Sequence, residues 1–119
     1  METNEKLNQF GESFIKNVRT RTIEHFKEVI EGKMKSSNAQ ELHNRLDKFS
    51  KEEILFIKKL IENVVDESLF KTLFMFEDGE WTIVEKTVAA DCDIEGLDEM
   101  SDGLSGELFG KKGWLAKFH

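Results

Sequence analysis

Apolar residues recur at helical spacing along the first part of the chain and predict one long helix from about Glu5 to Glu31. Gly32 follows as the expected C-cap, because glycine readily adopts the left-handed conformation that ends many helices. His25 projects onto the apolar side of this helix, where a lone histidine is usually a hydrogen-bonded residue of the core or its edge. The predicted apolar face consists of Leu7, Phe10, Phe14, Val18, Phe26 and Val29.

Two serines mark the predicted starts of the next two helices. Ser37 and Gln40 have the spacing of a capping box, which predicts a second, short helix that ends near Lys48. Ser50 and Glu53 form a second box, in which each side chain can bond the backbone amide of the other residue. The third helix is predicted to begin there.

The third helix either runs to Phe76 or breaks near residues 65–66 and restarts. One stripe along it is apolar, and its second half, LFKTLFMF (69–76), is apolar on nearly all sides. Such a helix is central in its domain or buries one side against a partner. An uncovered side would favour a homodimer, whereas cover by the tail of the same chain would favour a monomer, and both remain open.

A change of pattern after the turn signal at residues 77–79 predicts a strand. Residues 80–88, EWTIVEKTV, are rich in β-forming residues and partly alternate. Because one strand is not stable alone, its partner must come from residues 113–118 or from another chain. We therefore expect one domain over residues 1–119, of the α+β class and mostly α. The helical part (1–77) holds three main helices, of which the third is central. A small C-terminal β element (78–119) caps this part.

Charge is concentrated in one segment. The chain has a net charge of −7, and residues 77–107 hold eleven acidic residues and one basic residue. Because nucleic-acid binding depends on the neutralisation of phosphates, this composition argues against nucleic acid and favours a basic protein partner. The sequence contains no stretch that is typical of a signal peptide or a membrane span, and Cys92 alone cannot form an internal disulfide. We expect a cytoplasmic protein that binds no membrane.

The most acidic stretch, residues 91–102, partly matches a calcium-binding loop. Three substitutions argue against calcium: Glu95 replaces Asp or Asn, Asp102 replaces the bidentate Glu, and Asp98 replaces an apolar residue that joins paired loops. The segment before it also has the pattern of a strand, while the motif needs a helix. We therefore expect a solvated acidic surface, whose candidate binding residues are Asp91, Asp93, Glu95, Asp98, Glu99 and Asp102.

Four glycines lie in the tail segment SDGLSGELFGKKGW (101–114). Their spacing is one residue short of a Walker phosphate loop, and Lys112 stands where that loop needs Ser or Thr. The dinucleotide-binding fingerprint lacks its first half. We expect no cofactor here, but tight turns that fold apolar residues back onto the helices, namely Leu104, Leu108, Phe109, Trp114, Leu115 and Phe118.

The same tail resembles the C-terminal end of a family of small uncharacterised bacterial proteins. The motifs that carry the resemblance are SDGL (101–104), GEL (106–108) and GWLAKF (113–118), and the helical region 50–76 is similar as well. The resemblance covers roughly half of the chain and implies no activity and no site residues.

These observations favour an interaction protein whose acidic face engages a basic protein partner, and a bacterial immunity or inhibitor protein is one version. One alternative is a small enzyme with a site between the helical part and the cap, near His25 and acidic residues. Another is a divalent-cation-binding protein. We assign neither catalytic residues nor metal ligands, because the sequence holds no zinc or nucleophile motif.

Overall fold

A computed structural model describes residues 2–86 and 95–119, with side chains from residue 5 onward. The regular elements of this part of the chain are helices: α1 (Glu2–Phe14), a π-helical segment (Ile15–Thr20), α2 (Arg21–Ile30), α3 (Ser37–Leu46), α4 (Lys51–Glu77), α5 (Leu97–Met100), a 3₁₀ helix (Leu104–Leu108) and α6 (Trp114–Phe118). The predicted α+β class is therefore wrong, since the fold is all-helical and the C-terminal β element is not formed in the described residues.

The predicted strand is irregular over residues 81–85. Trp81 and Val84 are exposed there. Its expected partner in the tail is helical, because residues 114–118 form α6. A single backbone bond, from the Leu97 amide to the Ile83 carbonyl (2.9 Å), joins this segment to α5. The preference of residues for strands depends on a neighbouring strand to pack against, which this segment lacks in the described part of the chain. Residues 87 and 88 lie outside the described residues.

The long first helix is confirmed as an uninterrupted helical stretch, but with a π-helical segment in its middle that the sequence did not predict. A π-helical turn holds an extra residue and so changes which side chains face a neighbour. The segment places Ile15 in the core, fully buried. Gly32 follows the stretch with a φ of 79°, as its predicted role in ending the helix requires. His25 is exposed, so its predicted position on the apolar side is wrong.

Helix α3 opens at Ser37, as predicted, but its N-cap lies one residue earlier than the predicted capping box requires. Ser36, not Ser37, is its N-cap, and the Ser36 hydroxyl accepts a hydrogen bond from the Ala39 amide (3.2 Å). The side chain of Gln40 does not reach back to this cap, because it donates to the carbonyl of Met34 in the preceding loop. The predicted capping box at Ser37 is therefore wrong, and the helix ends at residue 46 rather than near residue 48.

Helix α4 begins at the predicted cap and forms the centre of the fold. The Ser50 hydroxyl accepts from the Glu53 amide (3.1 Å), and the Glu53 carboxylate accepts from the Ser50 amide (2.8 Å), which confirms the capping box. The helix continues without a break for 27 residues, so the alternative interruption near residues 65–66 is not formed. Its buried residues are Val65, Leu69 and Leu73.

The glycine-bearing tail folds back onto α1 and the second half of α4, as predicted. Leu104, Leu108 and Trp114 are almost wholly buried. The Glu77 carboxylate accepts hydrogen bonds from the amide and hydroxyl of Ser105, both at 2.9 Å. These contacts place the 3₁₀ helix over the end of α4. The common core consists of Leu7, Ile15, Val65, Leu69, Leu73, Leu97, Leu104, Leu108 and Trp114.

The chain is elongated, with extents of 56 × 30 × 23 Å. Its radius of gyration is 17.7 Å, whereas a compact chain of this length has about 13.5 Å. Its accessible surface is 8769 Å², about 2,100 Å² more than the roughly 6,600 Å² expected for a compact monomer of this mass. Among the described helices, none combines the length and apolar character needed to cross a membrane.

Candidate apolar binding groove

Two rows of side chains frame a groove of about 610 Å³ between the first helical stretch and α4. Within each row the residues follow one another in steps of four, which is the spacing of a ridge on a helix surface. One wall, from α1, the π-helical segment and α2, is formed by Phe14, Val18, Thr22 and Phe26. The opposite wall, from α4, is formed by Leu60, Val64, Ser68 and Thr72, and Ile61, Val65 and Leu69 complete the lining.

The α4 wall of the groove is open to solvent, and its N-terminal half is apolar. Leu60 and Val64 are 51% and 56% exposed, and Phe56, one step of four earlier on the same helix, is 68% exposed. Across the groove Val18 is 41% exposed. Contiguous exposed apolar surface of this kind usually marks a binding or interaction site.

The polar side chains of this wall are satisfied within α4 itself. The Ser68 hydroxyl donates to the Val64 carbonyl (2.8 Å), and the Thr72 hydroxyl donates to the Ser68 carbonyl (2.7 Å). Because both hydroxyl hydrogens are already used, an occupant need not supply acceptors for them. Apolar side chains are therefore the groups that the groove accommodates at least cost, since a polar group buried without a partner is destabilised.

An ion pair fixes the distance between the two helices that form the groove. Arg19 in the π-helical segment binds Asp66 on α4, with Nε–Oδ1 at 2.6 Å and Nη2–Oδ2 at 3.4 Å. The two side chains are only 16% and 25% exposed. Paired contacts of this kind between a guanidinium and a carboxylate restrict geometry more than a single contact does. The groove is thus a preformed feature of the helix pair.

The helix that forms the wall is nearly neutral. Residues 51–76 contain four basic and five acidic residues, a net charge of −1. Most of the acidity of the chain therefore lies at and beyond the end of this helix, in residues 77–107. Charge does not select a strongly basic occupant for the groove.

The candidate acidic surface is placed only in part. Glu95, Glu99 and Asp102 are exposed, as expected for a solvated surface, whereas Asp98 is half-buried and accepts a hydrogen bond from the Thr82 hydroxyl. The remaining two candidates, Asp91 and Asp93, lie outside the described residues. Within residues 2–86 and 95–119, no group of three or more His, Cys, Asp or Glu side chains is placed to hold a metal ion.

A smaller cleft of about 290 Å³ lies where the enzyme hypothesis placed a site, between α1 and residues 83–85 and 95–100. Lys6 and Glu85 form an ion pair at its side, with Nζ–Oε1 at 3.2 Å. His25 does not line this cleft. It lies on α2, where its ring contacts that of Phe26 edge to face, with 5.0 Å between the centroids. The structure therefore does not bring His25 together with the acidic residues in this cleft.

The groove was not predicted, although several of its residues were. Val18 and Phe26 were assigned to the apolar face of the first helix, and Leu60 was not singled out. The available signal was an excess of apolar residues on the first half of α4. Leu55 and Phe56 lie outside the stripe that a single core requires.

Comparison with known proteins adds no function to this geometry. No protein family, curated protein or solved structure matches this chain. The functional proposal therefore depends on the chemistry of the surfaces described above.

Proposed function

We propose that this protein is an interaction module that binds the apolar stripe of a partner helix in the groove between the first helical stretch and α4. The observation that supports the proposal is the exposed apolar part of the α4 wall, Leu60 and Val64, which the exposed Phe56 extends by one step of four toward the N-terminus. Removal of such side chains from water is favourable by about 25 cal/mol per Å² of apolar area. A helix is the element best suited to cover two parallel rows of side chains along their length.

The dimensions of the groove agree with a helical occupant. The α4 wall runs from Leu60 to Thr72, a distance of about 18 Å at 1.5 Å per residue. Three turns of a helix span about 16 Å, so the groove can hold apolar side chains at positions i, i+4, i+7 and i+11 of its occupant. Helices are commonly recognised through such anchors in apolar grooves.

The acidic surface is part of the proposal as a second, separate contact region. Glu95, Glu99 and Asp102 are exposed, and they belong to the segment that carries most of the negative charge. Charge of one sign increases the rate of encounter with a partner of the opposite sign. We propose that this region engages a basic protein in the cytoplasm, as an inhibitor or immunity protein would.

Photo-crosslinking in the native host tests the groove. A photoreactive residue that replaces Leu60 should form an adduct with a protein, and mass spectrometry should locate the adduct on an apolar helix. The matched control replaces Leu55, which is also exposed on α4 (64%) but lies about 140° around the helix from Leu60. Absence of a protein adduct at Leu60, or equal adducts at both positions, would contradict the proposal.

A further inference from the structure

We infer that the helix that occupies the groove is α4 of a second copy of this chain, packed antiparallel about a two-fold axis close to Val64. The inference rests on the proposed function and names the partner of the same groove. It depends on three features of α4: the order of side-chain sizes along its exposed row, the excess surface of the single chain, and the distribution of charge.

The exposed row of α4 is graded in size, with large side chains before Val64 and small ones after it. The row reads Phe56, Leu60, Val64, Ser68 and Thr72. An antiparallel pair centred on Val64 places Leu60 of one copy opposite Ser68 of the other, and Phe56 opposite Thr72. Every large side chain then meets a small one, which is the condition for close packing between two helices.

A parallel pair of the same helices would not pack in this way. It would place Phe56 opposite Phe56 and Ser68 opposite Ser68, so that one end would be overfilled and the other would contain gaps. A two-fold axis perpendicular to a helix necessarily relates it to an antiparallel copy, and two-fold dimers are the commonest soluble oligomers. The order of side-chain sizes along α4 therefore agrees with a two-fold symmetric dimer.

The surface of the single chain provides the area that a dimer needs. The chain exposes 8769 Å², about 2,100 Å² more than expected for a compact monomer. A stable interface of standard size removes about 800 Å² from each partner. The excess of the single chain is therefore larger than the area that such an interface removes from each partner.

The charge distribution favours the approach of two copies along this face. Residues 51–76 have a net charge of −1, whereas residues 77–107 have eleven acidic residues and one basic residue. In the antiparallel pair the C-terminal ends of the two α4 helices, at residue 77, lie about 39 Å apart. This separation is several times the screening length of about 8 Å at physiological ionic strength. A parallel pair would bring the two acidic segments together.

Sedimentation equilibrium of the purified full chain tests the dimer. At tens of micromolar we expect the dimer of a 13.8 kDa chain. Leu60→Glu should weaken association at least 100-fold, because the carboxylate would be buried against the apolar groove of the other copy. Leu55→Glu introduces the same charge on another face of α4 and should leave association unchanged. Circular dichroism confirms that both variants keep their helices. A wild-type monomer at this concentration, or equal effects of the two variants, would overturn the inference.

A disulfide test checks the register. In a Cys92→Ser background, Val64→Cys should form a covalent dimer under mild oxidation, because the axis brings its two copies together. Ser68→Cys is the matched control, since its two copies would lie about 12 Å apart along the helices, beyond the reach of a disulfide. Rapid crosslinking at position 68 and not at 64 would overturn the antiparallel register.

The crosslinking experiment at Leu60 separates this inference from the proposed function. An adduct between two copies of the chain supports both. An adduct with the apolar helix of a different protein supports the interaction module and overturns the homodimer. The absence of any protein adduct overturns both.

Discussion

Gly11 on α1 is the position where the tail meets the first helix, and we expect Gly11→Ala to destabilise the fold. A Cβ atom at this position would lie 2.3 Å from Cε2 and 2.4 Å from Cδ2 of Trp114. The indole is rigid and 1% exposed, and its Nε1 donates to Asn8 Oδ1 (3.2 Å). The added methyl group and the indole cannot occupy these positions together.

Two opposing effects determine the size of the change. Alanine is favoured over glycine inside a helix by about 1 kcal/mol. Overfilling a well-packed core costs about 1–3 kcal/mol, and the upper part of that range applies because the nearest atoms belong to a buried ring. The expected result is a net loss of about 2 kcal/mol. For a chain of this length that corresponds to a decrease in Tm of about 6–12 °C.

A double-mutant cycle isolates the contact with Trp114. Thermal and urea unfolding should be measured for Gly11→Ala, Trp114→Ala and the double variant. Once the indole is removed, only the helix preference remains, so Gly11→Ala should stabilise the Trp114→Ala protein by up to about 1 kcal/mol. The control is Gly106→Ala, where a Cβ would meet nothing within 4 Å. A rise in Tm for Gly11→Ala in the intact chain, or the same change in both backgrounds, would refute the reasoning.

Three further predictions concern the ion pair, the helix cap and the acidic stretch. Arg19→Ala should lower the free energy of unfolding in urea by about 1–3 kcal/mol. The control, Lys71→Ala, removes the exposed ion pair between Lys71 Nζ and Glu67 Oε1 (3.7 Å) and should change the free energy of unfolding by less than about 0.5 kcal/mol. The Ser50 amide and hydroxyl bind the Glu53 carboxylate and hold its pKa below the ordinary value of 4.5. Its contribution to stability is therefore present above pH 4.5 and is lost as the pH falls through the lowered pKa; NMR titration should find the inflection below 4.5, and Glu53→Gln should remove this pH dependence. Millimolar calcium should raise Tm no more than sodium at matched ionic strength, and a calcium-specific rise that Asp93→Ala abolishes would contradict this expectation.

The features predicted correctly depend on residues close together in sequence. The capping box at Ser50 needs only Glu53, three residues away, and the end of the first helical stretch needs only Gly32. The folding back of the tail was predictable because its apolar residues alternate with glycines over a short segment. For the cap at Ser50 the sequence holds both partners of the interaction within one turn of chain. For the tail it shows only the local turn signals, because the partners Glu77 and Asn8 lie 28 and 106 residues away from Ser105 and Trp114.

Two features that the sequence analysis missed involve distant partners, whereas the wrong cap of α3 is a local error of one residue. Residues 81–85 have strand-forming side chains, but a strand needs a neighbour, and the tail that was expected to provide it is held as α6 by the contact between Trp114 and α1. The π-helical segment also contains a contact with a distant residue. Its Arg19 meets Asp66, a residue 47 positions later, and local spacing holds no record of that contact.

The exposed part of α4 shows why an apolar pattern does not identify an interface on its own. The sequence left open whether the second half of α4 is uncovered or covered by the tail, and Phe74 and Met75 there are 51% exposed. The 3₁₀ helix nevertheless covers that half with Leu104 and Leu108, so the continuous open wall lies further toward the N-terminus, along the groove. The tail and the groove thus use different parts of one helix. Because they do, a change at the Gly11 contact should alter stability without altering the association of folded copies, whereas a change at Leu60 should alter association and leave the tail packed on its core.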